Sequence, residues 1–557
     1  MWKLELRLIK ITSSRADLII AWTCETFFVR RLIVAMNHLS ASIQTDQIDS
    51  SETAIKHRDF TGMTLFALLF AFYGLLMARE PLWGDSSKLS LYVLDRDFGV
   101  RSLTTGMGHH SLLIFLGYFI TTTTGMAPHI ALSFISVASG AASVALLYQL
   151  LSHYTLSKRI RIIACLLFGF SNTSLFVFCI QESYGLLIVL WMLVLMLFHK
   201  LYNTTSPRDK DSYLTGIFLA LSLLNHTLSV ILFSVVLLPL LLLKHKAKIF
   251  IKHTLIALSG SASVLIPFFA FLMSPNKTST TLADQLNTFF TAYVNLRSLP
   301  KGLVLFFAWI VFQYPVVFLI AAANIRKVKR LSIDNLSVHF FIIFSTMLFT
   351  SAYMIQRRIL MMGIALPSLS IIFSCVLQEI NISKRNSIRL IAAIPFINLA
   401  FYFSIGLITS ELVPRIVPEL RVNHWRPSTY YFVPFDFHFH NPKHLINEID
   451  QAIAVNPNKT TNIITDFTFG KPLVYFQKKD SWRMDIQVID VDILFWMENA
   501  EKSRKTEEIV THLKKENSQS YMLPYPDQIM QRVEIDKQFK VQQLHDYAEL
   551  SNTNLDK

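Results

Sequence analysis

Four short polar segments of this 557-residue chain carry side chains suited to acid–base and phosphate chemistry, and each follows an apolar run. Their chemically capable residues are Asp85, His109 and His110; Glu182 and Tyr184; Asn225 and His226; and Arg357 and Arg358. A carboxylate can take a proton from a hydroxyl group, and the guanidinium fork of arginine matches phosphate oxygens. With imidazoles nearby, these residue types suit a group transfer in which a phosphate departs.

The elements that must position these residues are membrane helices. Hydrophobic residues make up 52% of the chain and charged residues 16%, whereas soluble proteins carry about a quarter charged residues. A purely soluble enzyme, a disordered chain and a disulfide-stapled domain are therefore excluded. Eleven apolar runs predict spanning helices, at 60–78, 127–151, 160–180, 184–198, 213–224, 227–243, 249–273, 303–325, 336–355, 359–377 and 388–408. The run at 111–122 is too short to cross a core of ~30 Å, so we expect a helix lying in the outer leaflet.

The net charge of +14 is unevenly distributed and predicts the orientation. From Glu411 onward, 18 Lys and Arg stand against 21 Asp and Glu, while 34 basic and 17 acidic residues precede it. The excess lies in the membrane part, which is typical of cytoplasmic loops and argues against a nucleic-acid partner. If 111–122 does not cross, all basic loops share the side of the N-terminus. The four polar segments then lie on the opposite, outer side together with the C-terminal tail.

The chain is expected to contain three parts. These are an N-terminal interfacial or extra segment (1–58), an all-α polytopic membrane domain (59–410) and a soluble α/β domain (411–557). In the tail, runs at 462–466 and 486–491 predict strands, and 498–515 predicts a helix. The orientation predicts a protein of the plasma or inner membrane with a cytoplasmic N-terminus and a periplasmic or extracellular tail. In a eukaryote, the equivalent location is the endoplasmic reticulum membrane with a lumenal tail.

Each candidate residue also has a purely structural interpretation. Asp85 can be a helix N-cap, and Arg357 or Arg358 can reach the lipid headgroups. His226 can be an interhelical hydrogen-bonding residue, and Glu182 can anchor its turn at the membrane interface. Their joint occurrence on one predicted face of the membrane favours the functional interpretation.

A possible metal site lies where the chain leaves the last span. Asp436, His438 and His440 alternate and would share one face of a strand, where they could ligate a metal. Two prolines interrupt this aromatic-rich segment, which favours a surface resting on the bilayer. We therefore expect no metal site and no prosthetic group, although the use of a divalent metal stays open.

Several of these segments resemble motifs of the GT-C superfamily of membrane glycosyltransferases. The resemblance is strongest to the branch that includes the animal O-mannosyltransferase acting on plexin-type receptors and its bacterial relatives. It rests on Trp83-Gly84-Asp85-Ser86, Gly106-Met107-Gly108-His109, Gln181-Glu182-Ser183-Tyr184, Leu221-Ser222-Leu223-Leu224-Asn225-His226, Pro472-Leu473-Val474-Tyr475-Phe476-Gln477 and Arg483-Met484-Asp485-Ile486-Gln487-Val488. Two positions depart from the branch: Lys88 stands where it usually has Glu, and His110-Ser111 replaces a Pro-Pro pair.

The resemblance implies a GT-C fold and a catalytic aspartate at Asp85. It also implies a polyprenyl-phosphate sugar as donor, with a protein or glycan hydroxyl group as acceptor. In this interpretation His109, His110, Arg357 and Arg358 bind the donor phosphate, while Glu182, Tyr184, Asn225 and His226 line the pocket. Two alternatives remain: a carrier or flippase of lipid-linked sugars, and an inactive GT-C-like scaffold, for which Lys88 is the main argument.

Overall fold

The computed structural model describes residues 59–98, 110–154, 156–226, 228–272, 299–324, 336–352, 362–407, 442–452, 460–465, 467–490, 507, 518–523, 539–544 and 547–552. The chain divides into two compact units, Met1–Phe60 and Thr61–Lys557, and every element below belongs to the second unit. The predicted N-terminal segment at 1–58 lies outside the described residues.

The described part from Thr61 to Leu407 is helical throughout. Its α-helices are α1 (Thr61–Leu76), α2 (Asp85–Asp95), α3 (Ser111–Thr124), α4 (Pro128–Leu150), α5 (Lys158–Gly169), α6 (Asn172–Cys179), α7 (Tyr184–Asn203), α8 (Asp209–Asn225), α9 (Leu228–Leu232), α10 (Leu238–Lys244), α11 (Ala247–Leu272), α12 (Leu299–Gln313), α13 (Pro315–Ala323), α14 (Ser337–Ala352), α15 (Leu366–Ile380) and α16 (Lys384–Leu407). A π-helical turn, Phe233–Leu237, joins α9 to α10.

Two of the predicted single spans are broken helices. The run at 160–180 forms α5 and α6, which are bent by 62°, and the Ser171 side chain caps α6 by accepting a hydrogen bond from the Ser174 amide at 3.3 Å. The run at 303–325 forms α12 and α13, bent by 94°. Pro315 begins α13, and proline suits a first helical position because it has no amide hydrogen to donate.

Four described helices are each long and apolar enough to cross a membrane, and six spans result if each bent pair counts as one. The chain is therefore an integral membrane protein, while the number of eleven spans stays a prediction. Several apolar helices are short for a crossing, among them α1 and α14 with 16 residues each. Helix α3 has 14 residues, about 21 Å of rise, as expected for a helix that does not span.

The described tail contains a mixed sheet with helices beside it. Its elements are α17 (Pro442–Ala452), β1 (Thr460–Thr465), α18 (Phe467–Asp480), β2 (Ile486–Asp490), β3 (Ser518–Leu523), β4 (Phe539–Leu544) and β5 (Tyr547–Asn552). The strand order is β2-β1-β3-β5-β4. Strand β1 pairs in parallel with β2 and β3, and β5 pairs antiparallel with β3 and β4. Strands β1 and β2 coincide closely with the predicted runs, whereas the helix predicted at 498–515 lies outside the described residues except for residue 507.

The core of the bundle lies around α4 and α7, which are largely buried. Helix α11 lies at the periphery, where its Ile251, Leu255 and Leu258 side chains are exposed. Glycines allow α8 and α11 to touch: a Cβ atom at Gly216 would lie 1.8 Å from the Ala257 carbonyl oxygen, and one at Gly260 would lie 2.2 Å from that of Tyr213. A larger residue at either glycine would push the two helices apart.

Candidate active site at the tail end of the helical bundle

The candidate base, Asp85, is the first residue of α2. Gly84 is the N-cap residue of this helix, with φ 61°, a conformation that glycine adopts without strain. The N-cap interpretation of Asp85 is therefore wrong. The Asp85 side chain is half-buried and lies in the first turn, where the positive end of the helix dipole stabilises a carboxylate.

Gln181 joins the loop before α2 to the turn before α7. Its Oε1 atom accepts a hydrogen bond from the Leu82 amide at 3.2 Å. Its Nε2 atom donates to the Glu80 carbonyl oxygen at 3.1 Å and to the Ser133 hydroxyl at 2.9 Å. Because Gln181 is fully buried, these bonds are shielded from water. They fix the loop before α2 against the turn before α7.

Glu182 is buried beside the first turn of α2, and the Ser86 hydroxyl hydrogen-bonds its carboxyl group. Burial raises the pKa of Glu182 to about 8, although the bonds from Ser86 and the Ser183 backbone oppose the shift. Glu182 therefore keeps its proton at neutral pH and can donate a hydrogen bond. Residues 85 and 86 are neighbours in the chain, so this contact brings the Asp85 turn against the Glu182 turn.

Three aromatic rings meet next to this contact. The ring centroid of His226 lies 5.3 Å from that of His110 and 5.3 Å from that of Tyr184. The His110 Nδ1 atom lies 2.7 Å from the Asn225 carbonyl oxygen, and the Asn225 Nδ2 atom donates to the Ser183 carbonyl oxygen at 2.9 Å. The structure thus brings together the predicted residues of three separate segments.

The hydrogen bonds assign the tautomers of both imidazoles. A carbonyl oxygen only accepts, so His110 carries its proton on Nδ1 and presents an unprotonated Nε2. The Nδ1 atom of His226 accepts from the Leu228 amide at 3.1 Å, so His226 carries its proton on Nε2. Neither Nε2 atom has a hydrogen-bond partner among the described residues. One acceptor and one donor are therefore available to a ligand.

Both imidazoles are neutral at physiological pH. Burial lowers the pKa of His110 to about 4, with a further lowering by the charge of Lys88, although the bond to Asn225 opposes the shift. Burial lowers the pKa of His226 to about 3, and His110 adds to the effect. These rings can form hydrogen bonds but supply no positive charge. Lys88, one turn beyond Asp85, supplies a cation near His110.

The remaining predicted site residues lie outside the part that the structure describes. They are His109, Arg357 and Arg358, together with Asp436, His438 and His440 of the possible metal site. Within the described ranges, no group of three or more His, Cys, Asp or Glu side chains could hold a metal ion.

The tail packs on this same end of the bundle. The sequence predicted that the two share one side of the membrane but predicted no contact between them. The His129 ring hydrogen-bonds the Tyr475 hydroxyl at 2.8 Å and the Arg79 carbonyl oxygen at 2.9 Å. The ring centroids of Trp83 and Phe469 are 4.9 Å apart. Two ion pairs add to the contact: Lys478 with Asp95 at 2.6 Å and Lys443 with Glu80 at 3.0 Å.

Sequence reasoning missed Ser86, the role of Gln181 as a connector and the position of Lys88 beside His110. Ser86 and Gln181 stand next to residues that were selected, which was the available signal. Lys88 was noticed only as a departure from a motif. Its electrostatic effect on His110, 22 positions later, depends on tertiary structure and has no local signature.

Comparison with known proteins identifies solved structures of similar fold. No family model matches the chain, and no curated protein sequence matches it. The crystal structure of ArnT from Cupriavidus metallidurans bound to undecaprenyl phosphate is similar with a TM-score of 0.56 and 12% identity, covering 88% of this chain and 98% of that chain. The apo structure of the same protein gives 0.52 and 11%, covering 88% and 97%. These similarities show the fold: this chain has the architecture of ArnT over most of its length.

Proposed function

We propose that this protein is an integral membrane glycosyltransferase that moves a sugar from a polyprenyl-phosphate donor to an acceptor hydroxyl group. One observation carries the proposal: the first turn of α2, which begins with Asp85, is hydrogen-bonded through Ser86 to the buried Glu182. Two neutral imidazoles with available Nε2 atoms lie beside that contact. A base, an acid and hydrogen-bonding rings therefore meet at one end of a membrane bundle.

Asp85 is the general base of the proposed reaction. Its carboxylate takes the proton of the acceptor hydroxyl while the hydroxyl oxygen bonds to the anomeric carbon. The bond between that carbon and the phosphate oxygen breaks, and its electron pair leaves with the polyprenyl phosphate. A single displacement of this kind inverts the anomeric configuration.

The two carboxyl groups receive different roles because their surroundings differ. Asp85 is half-buried at a helix start, whereas Glu182 is buried and keeps its proton. Pairs of carboxyl groups whose environments separate their protonation states commonly divide acid and base duties. Glu182 acts as a neutral hydrogen-bond donor to the donor sugar or its phosphate.

The departing phosphate needs positive charge, and His110 and His226 do not provide it. Lys88 lies close enough to His110 to lower that residue's pKa, and we assign it to the phosphate. His109, Arg357 and Arg358 stay in the proposal as phosphate ligands on the strength of the sequence. His110, Tyr184, Asn225 and His226 line the pocket and orient the ligand through hydrogen bonds.

The fold similarity supports the choice of donor. ArnT was crystallised with undecaprenyl phosphate, and this chain covers 98% of that structure's chain. A polyprenyl-phosphate donor therefore agrees with the architecture as well as with the site. The eleven spans, the separate α/β domain at 411–557, and the periplasmic, extracellular or lumenal location of the tail belong to the same proposal.

The test is a transfer screen with the purified, reconstituted protein. Radiolabelled polyprenyl-phosphate sugars are offered one at a time with hydroxyl-bearing peptide or glycan acceptors. We expect label to appear on an acceptor with an inverted anomeric carbon, for at least one donor. Counterflow of the lipid-linked sugar across proteoliposomes without any acceptor would favour the carrier function instead. Donor binding without turnover across the screen would favour the inactive scaffold.

A further inference from the structure

An apolar cavity lies in the membrane part, and none of its lining residues belongs to the candidate active site. It has a volume of about 350 Å³ and lies between α8, α11, the π-helical turn and α10. Its lining includes Leu219 and Leu223 from α8, Phe233 and Leu241 from the chain around the π-helical turn, and Thr254 and Leu258 from α11. Ligand pockets in proteins commonly have about 300–1,000 Å³, so the cavity can take part of a lipid.

The packing of α8 against α11 keeps this cavity open. The backbones of the two helices already touch at Gly216 and Gly260, so they cannot approach further to fill the space. The π-helical turn, Phe233–Leu237, contributes Phe233 and Ser234 to the cavity wall, and such turns are frequent at functional sites. The outer face of α11 is exposed and apolar, so the cavity lies next to the surrounding lipid.

One end of the cavity opens beside a group of lysines. His245 and His253 line the cavity, and their rings are held by the Leu201 carbonyl oxygen at 2.9 Å and the Ser212 hydroxyl at 2.8 Å. Lys244 ends α10, Lys246 lies in the connection to α11, and Lys248 lies in the first turn of α11; all three are exposed.

Little negative charge offsets these lysines in the structure. Among the described residues, no ion pair joins Lys244, Lys246 or Lys248 to a carboxylate, whereas Lys252 pairs with Asp209 at 2.7 Å. An apolar volume that opens beside uncompensated cations suits a ligand with a hydrocarbon chain and an anionic head. Basic pockets between membrane helices recognise anionic lipid headgroups in this way.

We propose that this cavity binds one acyl chain of an anionic phospholipid whose headgroup phosphate lies among Lys244, Lys246 and Lys248. The site is independent of the proposed glycosyl transfer. Its occupant would add to the packing of α11, whose outer Ile251, Leu255 and Leu258 side chains are exposed.

The experiment measures lipid binding by native mass spectrometry of the purified full-length protein. The probes are dioleoyl phosphatidylglycerol, which is anionic, and dioleoyl phosphatidylcholine, which is zwitterionic. The head-binding variant carries Lys244→Gln, Lys246→Gln and Lys248→Gln. Its matched control carries Lys384→Gln, Arg385→Gln and Arg389→Gln, which removes equal charge from exposed residues at the start of α16. A fourth protein, Thr254→Phe, fills the cavity with an apolar ring.

We expect the wild type and the control to bind one phosphatidylglycerol in preference to phosphatidylcholine. In the head-binding variant, the ratio of bound phosphatidylglycerol to phosphatidylcholine should fall roughly fivefold for each lysine removed. Thr254→Phe should bind no lipid in the cavity. Equal preference in the wild type and the head-binding variant would overturn the proposal. So would displacement of phosphatidylglycerol by undecaprenyl phosphate at equal concentration, because the cavity would then belong to the sugar donor. Circular dichroism confirms that each variant is folded.

Discussion

Two sets of buried histidines, His339 at one end of the helical bundle and His110 with His226 at the other, differ in how fully their nitrogens are hydrogen-bonded. At the end away from the tail, the His339 ring has Tyr154 at 2.5 Å on Nε2 and Ser368 at 3.1 Å on Nδ1. At the tail end, His110 and His226 each form a hydrogen bond through Nδ1 only, counted within the part of the chain that the structure describes. A histidine with both nitrogens occupied contributes to structure, whereas one with a nitrogen available can contact a ligand.

The neighbours of the two groups differ as well. Exposed basic residues surround the far end, among them Lys158, Arg159 and Lys384. The tail-end turns instead hold buried, uncharged groups such as Gln181 and Asn225. The Oδ1 atom of Asn225 has no hydrogen-bond partner among the described residues. Buried polar groups cost stability unless they are satisfied, so the Asn225 Oδ1 atom is an acceptor that a bound ligand would satisfy.

The largest expected effect concerns two aspartates on one helix. Asp85→Asn should lower the transfer rate by about 10²- to 10⁴-fold, because an amide cannot accept the acceptor's proton. Asp95→Asn, at the other end of α2, should keep most of the rate, since its exposed pair with Lys478 contributes little. Initial rates with a radiolabelled donor measure both. Equal losses in the two variants would show that α2 is needed only for folding.

The second prediction separates the two histidine groups. His226→Gln should lower transfer roughly tenfold with a small change in unfolding temperature, because its Nε2 atom serves a ligand. His339→Gln should leave the rate of the folded fraction nearly unchanged but cost about 1–3 kcal/mol, because two buried partners lose their bonds. Thermal unfolding in detergent and transfer assays at one temperature give both values. The opposite pattern would place the chemistry at the far end.

The third prediction concerns pH. The pKa of Glu182 is about 8 in the folded protein and about 4.3 in an unfolded chain. Between these values the folded state holds a proton that the unfolded state has lost, so stability falls as pH rises through this window. Transfer should also fall as pH passes about 8, because Glu182 stops donating. Glu182→Gln cannot ionise, so its unfolding temperature should change less with pH and its rate should not fall at alkaline pH. If the transfer rate of Glu182→Gln still fell above about pH 8, the titrating group would be a residue other than Glu182.

The smallest effect concerns the contact between tail and bundle. Tyr475→Phe removes the hydroxyl that hydrogen-bonds His129 and should cost about 1 kcal/mol. Hydrogen exchange of α18 should quicken accordingly. Tyr118→Phe is the control, because the Tyr118 hydroxyl has no hydrogen bond among the described residues and its ring contact with Arg96 is kept. Equal exchange in the two variants would show that the hydroxyl does not hold the tail.

Much of this architecture was readable from the sequence because long apolar runs indicate membrane helices directly, whether the helix is buried or faces lipid. The helix at 184–198 appears as Tyr184–Asn203, and the short helix at 111–122 appears as Ser111–Thr124. The breaks at Ser171 and Pro315 were not predicted, because hydrophobicity continues through both. Hydrophobicity along the sequence reports the length and composition of a helix. A bend depends instead on local capping and on the packing of neighbouring helices.

The candidate site was predictable in part for a related reason. Glu182, Asn225 and His226 stand out because they lie in very short turns between apolar runs, and polar or ionisable groups at membrane depth are costly. The protonation of Glu182 and the tautomers of His110 and His226 were not predictable, since they follow from burial and from partners distant in sequence. The expectation that His110 helps to bind phosphate stays a prediction, and its neutral ring limits it to hydrogen bonding.

The central claim is that the lipid-linked sugar binds at the tail end of the bundle. The most direct measurement is photo-crosslinking of the reconstituted protein with a diazirine-bearing undecaprenyl-phosphate sugar, followed by peptide mapping. Crosslinks should fall on residues 82–92, 110–118 and 182–190, and excess unlabelled undecaprenyl phosphate should abolish them. Crosslinks confined to the cavity between α8 and α11 would contradict the account.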